Sequence, residues 1–434
     1  MHHPNRLYDH STTGLLDHLS TMSLVVQKYG GTSVADLDCL RRVAERVVAR
    51  RKAGDRVVVV VSAMGATTDH LTRLAHRLTG NPARRELDML LTAGERQTMA
   101  LLSLAIIERG CEAVSFTGSQ VGIITDRFHS DARIQEIRCD RLRDALRRGR
   151  VPIVAGFQGV SLDREITTLG RGGSDVTAVA LAAVLGADRC ELYKDVAGVF
   201  SENPGEFPGT RLVTQLTFEE LSELAGSGAG VIHPRACALA QKYHVPLTIS
   251  STFEKKRGTM VQHTVRKPRS GIRDLEKAFV RAVTHEGKLA RVALIGVPKK
   301  RRCLHQVVTR LAEQKVPLVL FNHGIPQDNR FDLAFIVPEQ HLVRAGEILG
   351  RVALDVKARK VDVTADLCSV SVVGPGVGSD PEIISGALEA LHHKSIHLSA
   401  FSTSETRLTC FLPRKSLRTA VTALLAKFRL KRKT

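Results

Sequence analysis

A lysine, two glycine turns and an aspartate are the residues of this chain best suited to chemistry on an anion. The segment Leu169-Gly170-Arg171-Gly172-Gly173-Ser174-Asp175 sets glycines beside an arginine. The glycines let a backbone turn approach a ligand closely, and the guanidinium fork suits a carboxylate. The apolar run at residues 176–185 reads as a helix, so Ser174 and Asp175 fall at its N-terminus. Free N–H groups and partial positive charge favour an anion there. A Gly-Arg-Gly-Gly turn alone is more often only a loop. Its weight comes from a second glycine turn near the start, Lys28-Tyr29-Gly30-Gly31-Thr32-Ser33-Val34. The plainer alternatives are an exposed lysine beside a turn for Lys28 and a simple helix cap for Asp175.

Positioning such groups needs a rigid scaffold, and the pattern supplies one. Over residues 24–261 short β-branched runs alternate with amphipathic helical stretches, the mark of an open, mostly parallel α/β sheet sandwiched by helices. Residues 24–27 form a strand that delivers Lys28 to its C-terminal end. Residues 36–51 form a helix with Leu37, Leu40, Val43, Val47 and Val48 on one face. Strands follow at 57–61, 113–116, 151–155, 190–193 and 247–250, and helices at 67–78, 87–108, from 174, 218–225 and 234–243. The candidate residues recur at strand C-termini, where open α/β sheets place their ligands. Beyond residue 268 the style changes to two consecutive βαββαβ-like units, an internal repeat of ferredoxin-like modules. Such units expose a sheet edge and usually pair, which predicts a homodimer through the C-terminal half.

Bulk properties narrow the classes. At 434 residues the chain exceeds one ordinary domain. Its longest apolar helical patch, residues 100–107, is far too short to span a bilayer, so no membrane role is expected. Residues 1–23 lack an apolar signal core and read as a disordered tail; Met22 is an alternative start, since the first strand begins just after it. Eight cysteines stand singly with no Cys-x-x-Cys spacing, which argues against zinc and for reduced core thiols in a cytoplasmic protein. The net charge of +19 invites a nucleic-acid reading, but the basic residues are dispersed and no recognition motif accompanies them. A solvated basic surface without a nucleic-acid partner is preferred.

Together these segments resemble the aspartate kinase family: an amino-acid kinase fold followed by tandem ACT domains. The signatures are the two glycine turns, Val61-Ser62-Ala63-Met64, Gly94-Glu95, Gly156-Phe157-Gln158-Gly159, Asp195-Val196-Ala197-Gly198, His233-Pro234-Arg235 and Ser402-Thr403-Ser404-Glu405. The resemblance divides the chain into a catalytic domain over residues 24–267 and ACT domains over 268–360 and 361–434. It implies transfer of the ATP γ-phosphoryl group to the β-carboxylate of L-aspartate, giving 4-phospho-L-aspartate, the first step towards lysine, threonine and methionine. Mg²⁺ would ride on the nucleotide phosphates, with no protein metal site expected.

The resemblance also implies roles. Lys28, with the N–H groups of Gly30 and Gly31, holds the β- and γ-phosphates, and Asp175 orients that lysine. Arg171, with Gly172 and Gly173 beside it, clamps a substrate carboxylate, and Glu95 pairs with the α-amino group. Ser62, Thr68 and Ser174 offer hydroxyls, and Phe157 a wall. From its local sequence alone Glu95 would be a solvated helix residue; the aligned context reverses that preference. Lys194, Asp195, Phe200, Gly230 and Val231 fall on the nucleotide side.

This chain departs from the family pattern on that side. Gly205 and Gly230 replace cationic residues, and Lys194 replaces a threonine. Lys194 either restores charge near the phosphates or points to solvent from its strand end. In the first ACT module Val297-Pro298-Lys299-Lys300-Arg301-Arg302 is cationic where the family carries an acid, which alters any site for a lysine or threonine effector. The alternatives are a kinase for another carboxylate, or a non-catalytic effector-binding protein with a degenerate kinase half.

Overall fold

The computed structural model describes residues 22–228, 230–254, 258–263, 278–300 and 302–431. All but the last two residues of the expected N-terminal tail, together with Arg301 and residues 432–434 of the basic tail, lie outside the described residues. The chain divides into two compact units. The first comprises Met1–Val199, Leu212–Ala225 and Gly230–Lys267; the second comprises Phe200–Arg211, Gly226–Ala229 and Pro268–Thr434.

In the first unit, runs of valine and isoleucine form strands because β-branched side chains pack well on a pleated surface covered on both faces. The strands are β1 (Leu24–Tyr29), β2 (Arg56–Val61), β3 (Ala113–Phe116), β4 (Ile123–Thr125), β5 (Ile134–Ile137), β6 (Val151–Ala155), β7 (Gln158–Ser161), β8 (Ile166–Thr168), β9 (Arg189–Lys194), β10 (Gln215–Leu216), β11 (Leu247–Ser251) and β12 (Thr259–Val261). Eight of them form the main sheet in the order β10-β12-β11-β9-β1-β2-β6-β3, parallel except for the β11–β12 pair. The core strands are dry: every residue of β1 and Val57 to Val61 of β2 are buried.

The helix Leu37–Lys52 is capped by Asp36, whose side chain accepts from the N–H of Cys39 at 2.7 Å. It buries Leu40, Val43, Val47 and Val48 as the periodicity requires. Leu37 is exposed, because it is the first helical residue and lies beyond the edge of the sheet-facing stripe. The helix Arg84–Ile107 begins three residues before the expected start.

Strands β5-β4-β7-β8 form a separate four-stranded sheet that the sequence pattern did not reveal. Its strands are three or four residues long, too short for an alternation to register.

The second unit contains β13 (Ala282–Pro298), β14 (Leu320–His323), β15 (Arg330–Pro338), β16 (Lys360–Val373), β17 (Ala400–Ser404) and β18 (Arg407–Pro413). Each repeat runs strand–helix–strand–strand–helix. The long β13 and β16 pair with each other, making one six-stranded antiparallel sheet in the order β14-β15-β13-β16-β18-β17. Strand β17 starts at Ala400 rather than 396, since Ile396 and Leu398 pack into the core from a connecting segment instead. The eight cysteines are free thiols, seven of them buried.

Candidate active site

The C-terminal ends of four adjacent strands, β9, β1, β2 and β6, carry Lys194, Lys28, Ser62 and Gly156 in that order across the sheet. Register decides which way these side chains face. Lys28 lies opposite Leu192, so Lys28, Leu192 and Lys194 project from the same face of the sheet, while Tyr29 and Tyr193 project from the other. On that other face the two tyrosine rings stack at 4.8 Å, and Arg46 covers Tyr193 at 4.5 Å. Gln27 donates to Glu191 at 2.9 Å, closing a buried polar network beneath the strand that carries Lys28.

On the first face, the helix Gly173–Leu185 brings Asp175 over the strand ends. Its oxygens meet two cations: Lys28 Nζ as an ion pair at 2.7 Å from Oδ1, and Lys194 Nζ donating to Oδ2 at 2.8 Å. Asp175 is not the helix cap; Gly172 occupies that position, and no side chain caps the helix. Burial pushes the Asp175 carboxyl up, but the two ammonium groups outweigh it and hold it well below the usual carboxylate range. Burial lowers the Lys28 ammonium, with Asp175 opposing and Lys194 adding to the fall. Lys194 therefore turns inward to the cluster and does not point to solvent.

A second group of residues lines the neighbouring strand ends. Gly94 lets the helix Arg84–Ile107 pass close to the β2 end, since a Cβ there would stand 2.7 Å from the Ala63 methyl. That approach sets Glu95 against the loop: its Oε1 accepts from the N–H of Ala63 at 3.2 Å. Its Oε2 is buried with no hydrogen-bond partner. Burial raises this carboxyl to about 7, with the Ala63 N–H only partly opposing. Thr68 sits in the first turn of the helix Thr67–Leu78, just beyond Ser62, and both are half-buried. Ser174 is buried against Gly156. Phe157 adopts the left-handed conformation (φ 70°), and its N–H donates to Thr177 Oγ1 at 3.2 Å. Such backbone strain in a non-glycine residue is often found at ligand sites.

Arg171 is exposed and makes no ion pair among the described residues. It stands between Gly170 and Gly172, both left-handed. A Cβ on Gly172 would collide with the His233 side chain, so only glycine fits.

The remaining expected residues fall in different places. Gly30 donates its N–H to the carbonyl of Tyr193 through a long 3.4 Å bond, and Gly31 opens the short helix Gly31–Val34. Asp195 is exposed just after β9, Gly230 is exposed with a left-handed backbone, and Val231 is half-buried. Phe200 and Gly205 belong to the segment Phe200–Arg211, which folds with the second unit. There Ser201 donates to the carbonyl of Leu430 at 2.8 Å, and Phe207 joins that unit's core.

Sequence reasoning passed over Asp88. It is fully buried and receives Thr168 Oγ1 at 2.6 Å, the Thr168 N–H at 3.1 Å, the Ser130 N–H at 3.0 Å and, at 2.9 Å, lies against His129 Nδ1. The available signal was an acid inside the apolar run Leu87-Asp88-Met89-Leu90-Leu91, because a buried carboxylate must find donors.

Comparison with known proteins shows the family. Residues 23–251 match the model of the amino acid kinase family. The chain is 43% identical to the aspartokinase of Mycolicibacterium smegmatis over 93% of its own length and 95% of that protein. The chain belongs to the aspartokinases. It is thus a kinase, with the amino-acid kinase fold and ACT modules of that family. At the level of fold it is similar to aspartokinase III of E. coli solved with aspartate and ADP, with TM-score 0.78, 22% identity and coverage of 94% and 100% of the two chains. The lysine and aspartate complex of the same E. coli protein gives a TM-score of 0.69 at 23% identity, over 93% and 99%. No helix among the described residues is long and apolar enough to cross a membrane.

Proposed function

We propose that this aspartokinase transfers the γ-phosphoryl group of ATP to the side-chain carboxylate of L-aspartate through the cluster Lys28–Asp175–Lys194. The observation that carries this reading is the pair of ammonium groups converging on one carboxylate at the sheet's C-terminal edge. Phosphoryl transfer asks for in-line positioning and neutralisation of charge on the phosphate oxygens rather than covalent help. Lys28 and Lys194 supply that charge, and Asp175 holds both until the phosphates arrive. A base is not needed, because the attacking carboxylate is already ionised near pH 7. The nucleotide fits the residues present: a side chain on Gly30 would stand 3.5 Å from Lys28 Nζ, in the space beside the cation.

Substrate recognition follows from Arg171, which makes no ion pair among the described residues, and from Glu95, whose Oε2 has no hydrogen-bond partner. Arg171 takes a carboxylate of aspartate, and the free Oε2 of Glu95 takes its α-ammonium. Ser62, Thr68 and Ser174 add hydroxyl contacts, Gly172 and Gly173 let the backbone close on the substrate, and Phe157 forms a wall. Asp195, Gly230 and Val231 line the nucleotide. Lys194 takes over the charge that Gly205 and Gly230 no longer provide. Mg²⁺ supplies further charge neutralisation on the nucleotide phosphates. Among the described residues no group of three His, Cys, Asp or Glu side chains could hold a metal. Residues 24–267 are the catalytic domain, and 268–360 and 361–434 are the two ACT domains. They are proposed to pair two chains, to bind an amino-acid effector and to work in the cytoplasm.

An ADP-release assay with Mg-ATP and a panel of L-aspartate, L-glutamate and N-acetyl-aspartate tests the reading. Release that requires L-aspartate, with acyl phosphate trapped by hydroxylamine in equal amount, supports it. Release with glutamate instead makes the chain a kinase for another carboxylate. No release with any acid makes it an effector-binding protein.

A further inference from the structure

The guanidinium of Arg171 is offered to solvent, yet the turn that carries it is tightly held. From one side, Asp88 fixes Thr168, the last residue of β8, and Ser130 of the neighbouring loop. From the other, Arg235 reaches over from the helix Pro234–Lys242. Its Nη1 donates to the carbonyl of Leu169 at 2.7 Å and to Asp131 Oδ1 at 3.0 Å, and its Nη2 donates to the carbonyl of Ala132 at 2.8 Å. The same helix starts at His233, whose side chain packs on Gly172 and whose Nδ1 accepts from the N–H of Arg235 at 3.3 Å. Arg171 thus sits between two residues, Leu169 and Gly172, that are both gripped by one short segment.

We propose that Arg235 is a positioning residue for substrate recognition: by tying the Leu169 and Ala132 carbonyls together it fixes the turn that presents Arg171 to the substrate carboxylate. The proposal rests on the reading of Arg171 as that carboxylate's partner. Only a guanidinium serves here, since two carbonyls and a carboxylate are bridged by one forked donor. A lysine keeps the charge but not the span. Displacement of a substrate-orienting group by about 1 Å costs up to about a hundredfold in rate, so a support that touches no substrate still governs recognition.

Steady-state kinetics of Arg235→Ala and Arg235→Lys, beside Arg171→Ala and the double variant Arg171→Ala/Arg235→Ala, provide the test. The expected result for Arg235→Ala is an aspartate KM raised about tenfold with the KM for Mg-ATP within about twofold of the wild type. Added to Arg171→Ala, the same change raises the aspartate KM by less than about twofold, because residues acting through one contact are not additive. Arg235→Lys moves the same constant in the same direction and is the variant to read should the alanine variant fail to fold. An unchanged aspartate KM, an equal rise in both constants, or full additivity in the double variant overturns the positioning role. An aspartate KM unaffected by Arg171→Ala overturns the assignment of Arg171 instead.

Discussion

The two halves of the site handle charge in opposite ways. In the Lys28–Asp175–Lys194 cluster three buried or nearly buried charges are satisfied by one another, at 2.7 and 2.8 Å. On the other half, Arg171 has no ionic partner among the described residues and Glu95 keeps one buried oxygen without a donor. Taking a charge out of water costs several kcal/mol unless something replaces the solvent. The cluster meets that cost within the protein, and in the proposed function this keeps the phosphate side assembled before any ligand arrives. Glu95 meets it by holding its proton up to about pH 7. On the proposed reading, the pairing of the charges separates groups that organise the site from groups that recognise the amino acid.

Breaking the cluster has the largest expected effect. Lys28→Ala and Asp175→Ala should each lower kcat by at least about a thousandfold, as removal of groups that stabilise transition-state charge does. Asp175→Ala should also lose on the order of 3 kcal/mol of stability in urea unfolding, since it strands two ammonium groups. Lys194→Ala comes next. It should raise the KM for Mg-ATP about tenfold, the worth of one charge-assisted contact. An unchanged ATP constant for that variant removes Lys194 from the phosphate side.

How much of this was legible beforehand follows from what each residue depends on. The convergence of Lys28 with Asp175 was implied by the family resemblance, while the sheet and its helices came from local patterns: valine runs, glycine turns and a helix start. The direction of Lys194 did not, because it depends on the register Lys28↔Leu192 between strands far apart in sequence. Asp88 was passed over, and Arg235 was noted only within the His233-Pro234-Arg235 signature with no role given to it, for a similar reason. Asp88 accepts from backbone and side-chain groups of residues 129, 130 and 168, and Arg235 donates to the carbonyls of Leu169 and Ala132 and to Asp131; no sequence spacing encodes partners so distant. The cationic replacement at Lys194, by contrast, was visible as a residue type, and only its destination needed coordinates.

The recognition half is sharpened by pH. The Glu95 carboxyl, raised by burial to about 7, is protonated at pH 5 and ionised without a cation at pH 9 in the free protein. Its folded pKa lies above the unfolded value, so the stability it allows is complete below the unfolded pKa and is lost as pH rises through about 7. Glu95→Gln should therefore gain on the order of 2 kcal/mol over wild type between pH 5 and pH 9 in chemical denaturation. Aspartate carries an ammonium group that rewards the ionised form, so the wild-type aspartate KM should fall as pH rises through about 7. A pH-independent aspartate KM breaks the link between Glu95 and the amino group.

The smallest effect concerns a paired charge in the second unit. His285 is held between Glu202 at 3.2 Å and Glu206 at 3.4 Å. The hydrogen bond to Glu202 raises its pKa, with burial opposing and both carboxylates adding to the rise. Its contribution is complete below the ordinary histidine pKa and is lost as pH rises through the folded value. His285→Gln should therefore lower Tm by a few degrees at pH 6 and have little effect at pH 9.

Phosphoryl transfer from sub-saturating Mg-ATP to L-aspartate, measured as kcat/KM for wild type, Lys28→Ala, Lys194→Ala and the double variant, tests the three-charge cluster most directly. Two ammonium groups serving the same phosphoryl group should give losses that are not additive, with the double variant close to Lys28→Ala alone. A wild-type rate in Lys28→Ala, or losses that multiply in full, would contradict the account.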